Sequence, residues 1–416
     1  MPLLAGLRLI PQTLAQPNYG MYVAGNSVSL IGSWMQRVAV GWLAWELSHS
    51  GAVLGLVAFA DLATTLMVGP FGGVLADRLD RRRLLTIGQS TNMVVSFILA
   101  ALTASGLMTV PLLVLFIGLN GAVIGINQPA RLSLISDLVP REHLPTAVAI
   151  NSLVFNLARF IGPAIAGLII LYFSTAVVFL ANALSFISFL VALNRLDLPT
   201  SKKPLVGDGA PSMLQAIGEG LRYVIAHPGI GPLLALHATI AVTARPYVEL
   251  LPGFAGAVFD LGAGGLATLS SAVGLGAIAA GLFLAQRGAR QGLAETAMVA
   301  ALLISLSALG LALSPAFWVA VIAVTSGGFG MVVAGVGTQT LMQTSVDDAV
   351  RGRVLSLFGL VFRSGPAIGA LLMGLASELV GLRWPLAIGA LIGAVAFLYV
   401  WQRRSRIAEA LRSEPG

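Results

Sequence analysis

The chain contains no cysteine. Disulfides, thiolate metal centres and cysteine nucleophiles are therefore excluded. Histidine is scarce too: the 4 present are scattered without the spacing of a metal site, and no metal or cofactor is expected. Charge is the most informative shortage. Only 10% of the 416 residues are Asp, Glu, Lys or Arg, against about 25% in soluble domains. A water-soluble fold with so few charges could not cover its surface, so most of this surface faces lipid. What the chain does have is apolar. It is 57% hydrophobic and carries 48 glycines, as expected where helices approach closely in a bilayer. The net charge of +7 does not point to nucleic acid, because the basic residues flank apolar runs, the pattern of membrane topology. No cleavable signal peptide is visible: the first 17 residues lack a basic-then-apolar pattern.

A bilayer-spanning helix needs about 20 mostly apolar residues. Twelve segments qualify: 19–46, 51–76, 84–105, 109–130, 145–171, 174–194, 229–257, 263–285, 293–313, 315–338, 353–379 and 383–402. The longest polar interval, 195–228, holds Lys202, Lys203, Pro204 and Asp208, and "MLQAIGEGLRYVIAH" within it reads as an amphipathic helix on the membrane face. The expected fold is an all-α integral membrane protein of twelve transmembrane helices in two six-helix bundles. The expected parts are an N-terminus over 1–18, a bundle over 19–194, a middle loop over 195–228, a second bundle over 229–402 and a tail over 403–416. Nineteen of the 24 Lys and Arg residues, Arg131 and the run Arg81, Arg82 and Arg83 among them, fall on one side of this arrangement, and only Arg383 falls on the other. Cytoplasmic segments carry the excess of positive charge. Both termini and the middle loop are thus expected in the cytoplasm, and the protein in a cell (inner) membrane.

The halves repeat one another. "ARFIGPAIAG" at 158–167 returns as "FRSGPAIGA" at 362–370, and "ADRLDRR" at 76–82 has a weaker counterpart in "AQRGARQ" at 285–291, where Gln286 stands for Asp77. Internal repeats around a central ligand path are the architecture of secondary transporters. Gly73, Asp77, Arg78, Arg81 and Arg82 match the loop signature Gly-x-x-x-Asp-Arg-x-Gly-Arg-Arg, with Asp80 in place of the second glycine. On these residues the chain resembles the major facilitator superfamily. "MQRVAVGWLAWELSHS" (35–50), "DLVPREHLPTAVAINSLVFNLARFIGPAIAG" (137–167) and the "DRLDRR" spelling resemble its branch of enterobactin-type siderophore exporters and macrolide-efflux drug:proton antiporters.

The resemblance implies a conformational latch. Asp77 would meet the cytoplasmic start of span 11, where Arg351 and Arg353 add full charges to the half charge of a helix N-terminus. It implies an antiporter-like role for the repeated Gly-Pro, namely Gly162, Pro163 and Gly167, with Gly365, Pro366 and Gly369 as the copy; close packing alone is the competing reading. Charges inside spans are costly and mark cavities or partners. Arg37 with Asp61, and Arg245 with Glu249 four residues on, are candidate pairs, and Arg159 and Arg363 sit beside the two Gly-Pro copies. Asp61 and Glu249 are proton-coupling candidates; Arg37, Arg159, Arg245 and Arg363 are cavity candidates. The reading is an exporter of a small organic molecule, siderophore-like or drug-like, driven by proton antiport and working as a monomer. Uptake of a small nutrient is the alternative, and an enzyme is not expected.

A reporter active only in the cytoplasm is expected to be active when fused after Lys203 and inactive when fused after Leu261; the reverse pattern would invert the orientation.

Overall fold

The computed structural model describes residues 9–197, 213–287 and 292–411. Lys202, Lys203 and the side chains of Asp77 and Arg78 lie outside the described residues. Those described form helices and no strand. In chain order the helices are α1 (Pro17–Ser48), α2 (Gly51–Arg78), α3 (Arg81–Ala104), α4 (Val110–Leu138), α5 (Leu144–Tyr172), α6 (Thr175–Arg195), α7 (Met213–Ala226), α8 (Ile230–Thr243), α9 (Tyr247–Gly253), α10 (Gly262–Arg287), α11 (Leu293–Leu313), α12 (Phe317–Ser345), α13 (Asp348–Val380), α14 (Arg383–Trp401) and α15 (Arg404–Ala410).

Among the described residues ten helices are long and apolar enough to cross a bilayer, or eleven if a pair bent by 110° around residues 227–229 is one span. The expected count was twelve. The shortfall has a physical source in α1, which is 32 residues long but buries Asn26, Ser29 and Gln36 on its inner face. Expected span 7 is the second part of the bent pair, over 230–258. It is broken at Ala244–Pro246 into α8 and α9 and continues as a π-helical turn, Phe254–Val258. Proline has no N–H to donate at the break. The N–H groups of both Ala244 and Arg245 turn instead to the Ile240 carbonyl at 3.0 Å.

Contacts divide the chain into two compact units, 1–48 with 60–206 and 49–59 with 207–416. The start of α2 therefore groups with the second unit. In the first unit α1 packs on α5 and α6, and α3 on α4 and α6. Its core gathers Tyr19, Tyr22, Leu85, Leu134, Phe189 and Leu193. A buried polar knot ties three of its helices. The Gln36 amide oxygen accepts from Ser96 Oγ at 2.8 Å and from Asn182 Nδ2 at 2.7 Å. With no water in a bilayer core, such groups are stable only when they satisfy one another. In the second unit α10 and α11 both lie along α12, and α13 and α14 pack on α8. The amphipathic α7 packs on α13, where Glu219 pairs with Arg353.

Asn182→Ala is expected to leave Gln36 with one donor fewer in a buried site, at a loss of about 1–3 kcal/mol. A lower unfolding midpoint in detergent measures it; an unchanged midpoint would show that the knot does not stabilise the bundle.

Candidate functional site

The charged turn between α2 and α3 resolves into separate jobs. Asp80, the departure from the family signature, caps α3: its backbone is extended and its Oδ1 accepts the Arg83 N–H at 2.8 Å. Arg81 pairs with Asp137 at the end of α4, Nη1 to Oδ2 at 2.6 Å. Arg82 donates to the carbonyls of Asn194 and Leu196 at the end of α6, where free carbonyls attract a cation. Gly73 lies in open space on α2. At the start of α13, Arg351 donates to the Val346 carbonyl at 3.0 Å, and Arg353 holds Glu219. Arg81, Arg82, Arg351 and Arg353, four of the arginines expected in a latch, thus have partners within their own units. The Asp77 contact on which the latch depends lies outside the described residues.

One residue counted with the loops belongs elsewhere. Arg131 lies inside α4, donates to Asn26 of α1 and stacks on Phe189 of α6, 5.8 Å from the ring centroid. The helix extends past residue 130 because its apolar face continues through Leu134 and Ile135, both buried.

Two in-span arginines of the first unit converge on an aromatic. The guanidinium carbons of Arg37 and Arg159 lie 5.7 and 5.6 Å from the Trp34 ring centroid, and Phe155 meets that ring edge-on at 5.6 Å. Helix α5 reaches α1 here because Gly162 has no Cβ: a methyl would sit 2.6 Å from the Trp34 Cβ. Pro163 and buried Gly167 follow in the same helix. Trp34 and Arg159 are half-buried, and Arg37 is exposed. A guanidinium over an indole gains cation–π energy. Asp61 is half-buried on α2, with its carbonyl accepting from Thr65 at 2.7 Å.

The second unit repeats the theme. Arg245 stands in the break between α8 and α9, 4.0 Å from the Phe362 centroid, and donates to the Phe362 carbonyl at 3.2 Å. Glu249 follows in the first turn of α9. Discontinuous helices are where transporters place polar groups. The second Gly-Pro copy abuts the same break: a Cβ on Gly365 would overlap Ala241, and one on Gly369 would overlap Val242 and Pro246, with Pro366 between them. Arg363 is exposed near the middle of α13. Both copies of the motif therefore pack helices closely, which was the plainer of its two readings. Trp34 and Phe362 went unnoticed in the sequence. Each lies within three residues of an in-span arginine, the one signal that would have found them.

At its start, α2 docks on α13 within the second unit. Glu378 Oε1 accepts from Ser50 Oγ at 2.7 Å and from the Ala52 N–H at 3.2 Å, capping α2 from outside. Below it a Cβ on Gly374 would overlap the Gly51 carbonyl, and one on Gly55 would overlap the Ala370 carbonyl.

Paired repeats and a helix broken at a charged residue are the architecture of a secondary transporter, and the family and relatives that the chain matches make it a major-facilitator transporter and not an enzyme. Residues 12–415 match the family of transmembrane secretion effectors, and the chain belongs to that family. It is 26% identical over 363 residues to the staphyloferrin A transporter of Staphylococcus aureus (strain NCTC 8325 / PS 47), covering 87% of this chain and 90% of that one. It is 30% identical over 354 residues to the enterobactin exporter EntS of Shigella flexneri, covering 83% and 82%. Solved structures share the fold. A peptide transporter POT mutant superposes with a TM-score of 0.77 at 14% identity over 96% of this chain and 99% of that one. A bacterial homolog of the human lysosomal transporter Spinster, inward-facing and unoccupied, gives 0.72 at 15% over 96% and 99%.

Gly374→Leu is expected to push the start of α2 off α13. Labelling of a Ser377→Cys reporter by an impermeant maleimide should rise severalfold, while Gly264→Ala, whose added methyl meets open space, should leave it unchanged. Equal labelling in both backgrounds would show that the seam is not closed in the membrane.

Proposed function

We propose that this transporter exports a small organic anion or zwitterion of the siderophore-like class by alternating access of its two halves, in exchange for protons. The observation that carries this reading is the convergence of Arg37 and Arg159 on Trp34. An aromatic wall with two guanidiniums beside it suits a flat acid: the ring stacks, and the forked N–H groups meet carboxylate or catecholate oxygens. In the second unit, Arg363 is exposed near the middle of α13. A site for lipophilic cations would want the opposite charge, because like charges repel strongly where the dielectric is low. The relatives named for enterobactin export and staphyloferrin A transport support a siderophore-like substrate.

Asp61 and Glu249 are the carboxylates we assign to proton coupling. Burial favours the protonated form and a nearby arginine the ionised form, so a conformational change that alters either surrounding moves a proton. The seam between α2 and α13 is the surface we assign to closing the outer side. The latch at Asp77, with Arg78, Arg81, Arg82, Arg351 and Arg353, is the reading for the inner side. On this reading the protein works as a monomer in the inner membrane, with both termini in the cytoplasm.

In inside-out vesicles with an imposed proton gradient, uptake of a catecholate or hydroxycarboxylate chelator is expected from the native protein. Arg159→Gln and Arg363→Gln should each weaken substrate binding at least about tenfold, equivalent to about 1.4 kcal/mol. Robust ethidium transport by the native protein, unaffected by either substitution, would overturn the reading.

A further inference from the structure

The second unit contains a groove that the transport chemistry does not use. Helices α10 and α11 both pack along α12 yet make little contact with each other. The gap between them is an apolar groove of about 400 Å³, with Phe329 and Val333 of α12 as floor, Phe283 of α10 as one wall, and Val299, Leu303 and Leu306 of α11 as the other. Phe283 and Phe329 meet at 5.5 Å. Val299 and Leu306 are about half exposed, so the groove opens sideways from the bundle. In a bilayer that opening faces hydrocarbon. From Glu295 to Leu306 the wall runs about 16 Å at 1.5 Å per residue, close to the thickness of one leaflet of a core about 30 Å deep.

One end of the groove is charged. Glu295, in the first turn of α11, lines it with an Oε2 that is buried and accepts no hydrogen bond. Arg287, in the last turn of α10, faces it across Gly292: a Cβ on that glycine would lie 3.5 Å from Arg287 Nη2 and 3.7 Å from Glu295 Oε2. Gly292, at the N-cap of α11, has a positive φ of 87°, a conformation that favours glycine. Thr296 also lines the groove, its hydroxyl donating to the Gly292 carbonyl at 2.8 Å.

We propose that this groove binds one membrane phospholipid with a zwitterionic, primary-ammonium headgroup. An acyl chain fills the groove, the ammonium donates to Glu295 Oε2, and the phosphate oxygens meet the Arg287 guanidinium. The size and sidewise opening of the groove select a chain from the bilayer, since an empty space of this volume deprives its lining of contacts. The pair of opposite charges at one end selects a headgroup carrying both signs. An anionic lipid would place a second negative charge against Glu295, and a trimethylated headgroup has no N–H to give it. The inference requires only that the helices span a bilayer, and it stands apart from the reading of substrate and direction.

Native mass spectrometry of the full chain tests it, after equilibration with an equimolar mixture of phosphatidylethanolamine, phosphatidylcholine and phosphatidylglycerol. The native protein is expected to retain one phosphatidylethanolamine, about fivefold or more over either competitor. Glu295→Gln should bring phosphatidylethanolamine and phosphatidylcholine to near parity. Leu303→Trp, which fills the groove and keeps the charges, should lower retention of the bound lipid whatever its headgroup. Chromatographic behaviour and unfolding midpoints confirm folding of both variants. Glu295 also suits the positive end of α11, and that role alone would lower the midpoint of Glu295→Gln without changing lipid preference. Retained preference for phosphatidylethanolamine in Glu295→Gln, preference for phosphatidylglycerol in the native protein, or no lipid retained would each overturn the proposal.

Discussion

The bilayer offers no water to complete a broken hydrogen bond, and the rest of the structure is arranged around that constraint. Serine and threonine hydroxyls along the spans fold back onto carbonyls one turn earlier, as Thr243 does to Thr239 and Thr325 to Val321. Side-chain amides are gathered into knots such as Gln36, Ser96 and Asn182. Where the backbone is broken, at Ala244–Pro246, the freed N–H groups find the Ile240 carbonyl, and Arg245 occupies the break with its charge over Phe362. A break in the helical ladder and a charge inside the membrane are both costly. Placed together, each supplies part of what the other lacks.

The same constraint explains the use of glycine. Apolar side chains gain little by leaving lipid for one another, so association depends on close contact and on hydrogen bonds. Gly162 admits α5 to Trp34, Gly369 admits α13 to the broken helix, and Gly374 admits the start of α2 to α13. Each of these contacts adjoins a group with a proposed role in transport. Close packing and function share positions because a charged side chain can be aimed accurately only from a backbone that its neighbours hold.

Electrostatics divides along depth. At the charged turn between α2 and α3, arginines meet Asp137 and the exposed carbonyls of helix ends, contacts that water also solvates. Deeper in the spans, Arg37, Arg159 and Arg245 stand against aromatic faces. An aromatic face holds a guanidinium by its quadrupole, an attraction that strengthens where water is excluded.

Much of this was legible in the sequence, because composition and hydropathy act locally. The scarcity of charge required a membrane, and the apolar runs located the long helices. The repeated Gly-Pro and the charged turn carried the resemblance to the superfamily, and counting along the spans placed Arg37, Arg159, Arg245 and Arg363 but not Arg131. Other features depended on which helix lies beside which, and that no single segment encodes. Periodicity could not show that Arg131 turns inward to Asn26, that Trp34 gathers two arginines, or that Glu378 caps a helix 328 residues away in the chain. Asp80 looked like a departure from a motif until its carboxylate was seen to cap α3. The amino-acid sequence determined that this is a helical membrane transporter and where its charges stand. Tertiary structure alone decided what those charges face, because a guanidinium's partner is set by the approach of another helix and not by the residues beside it in the chain.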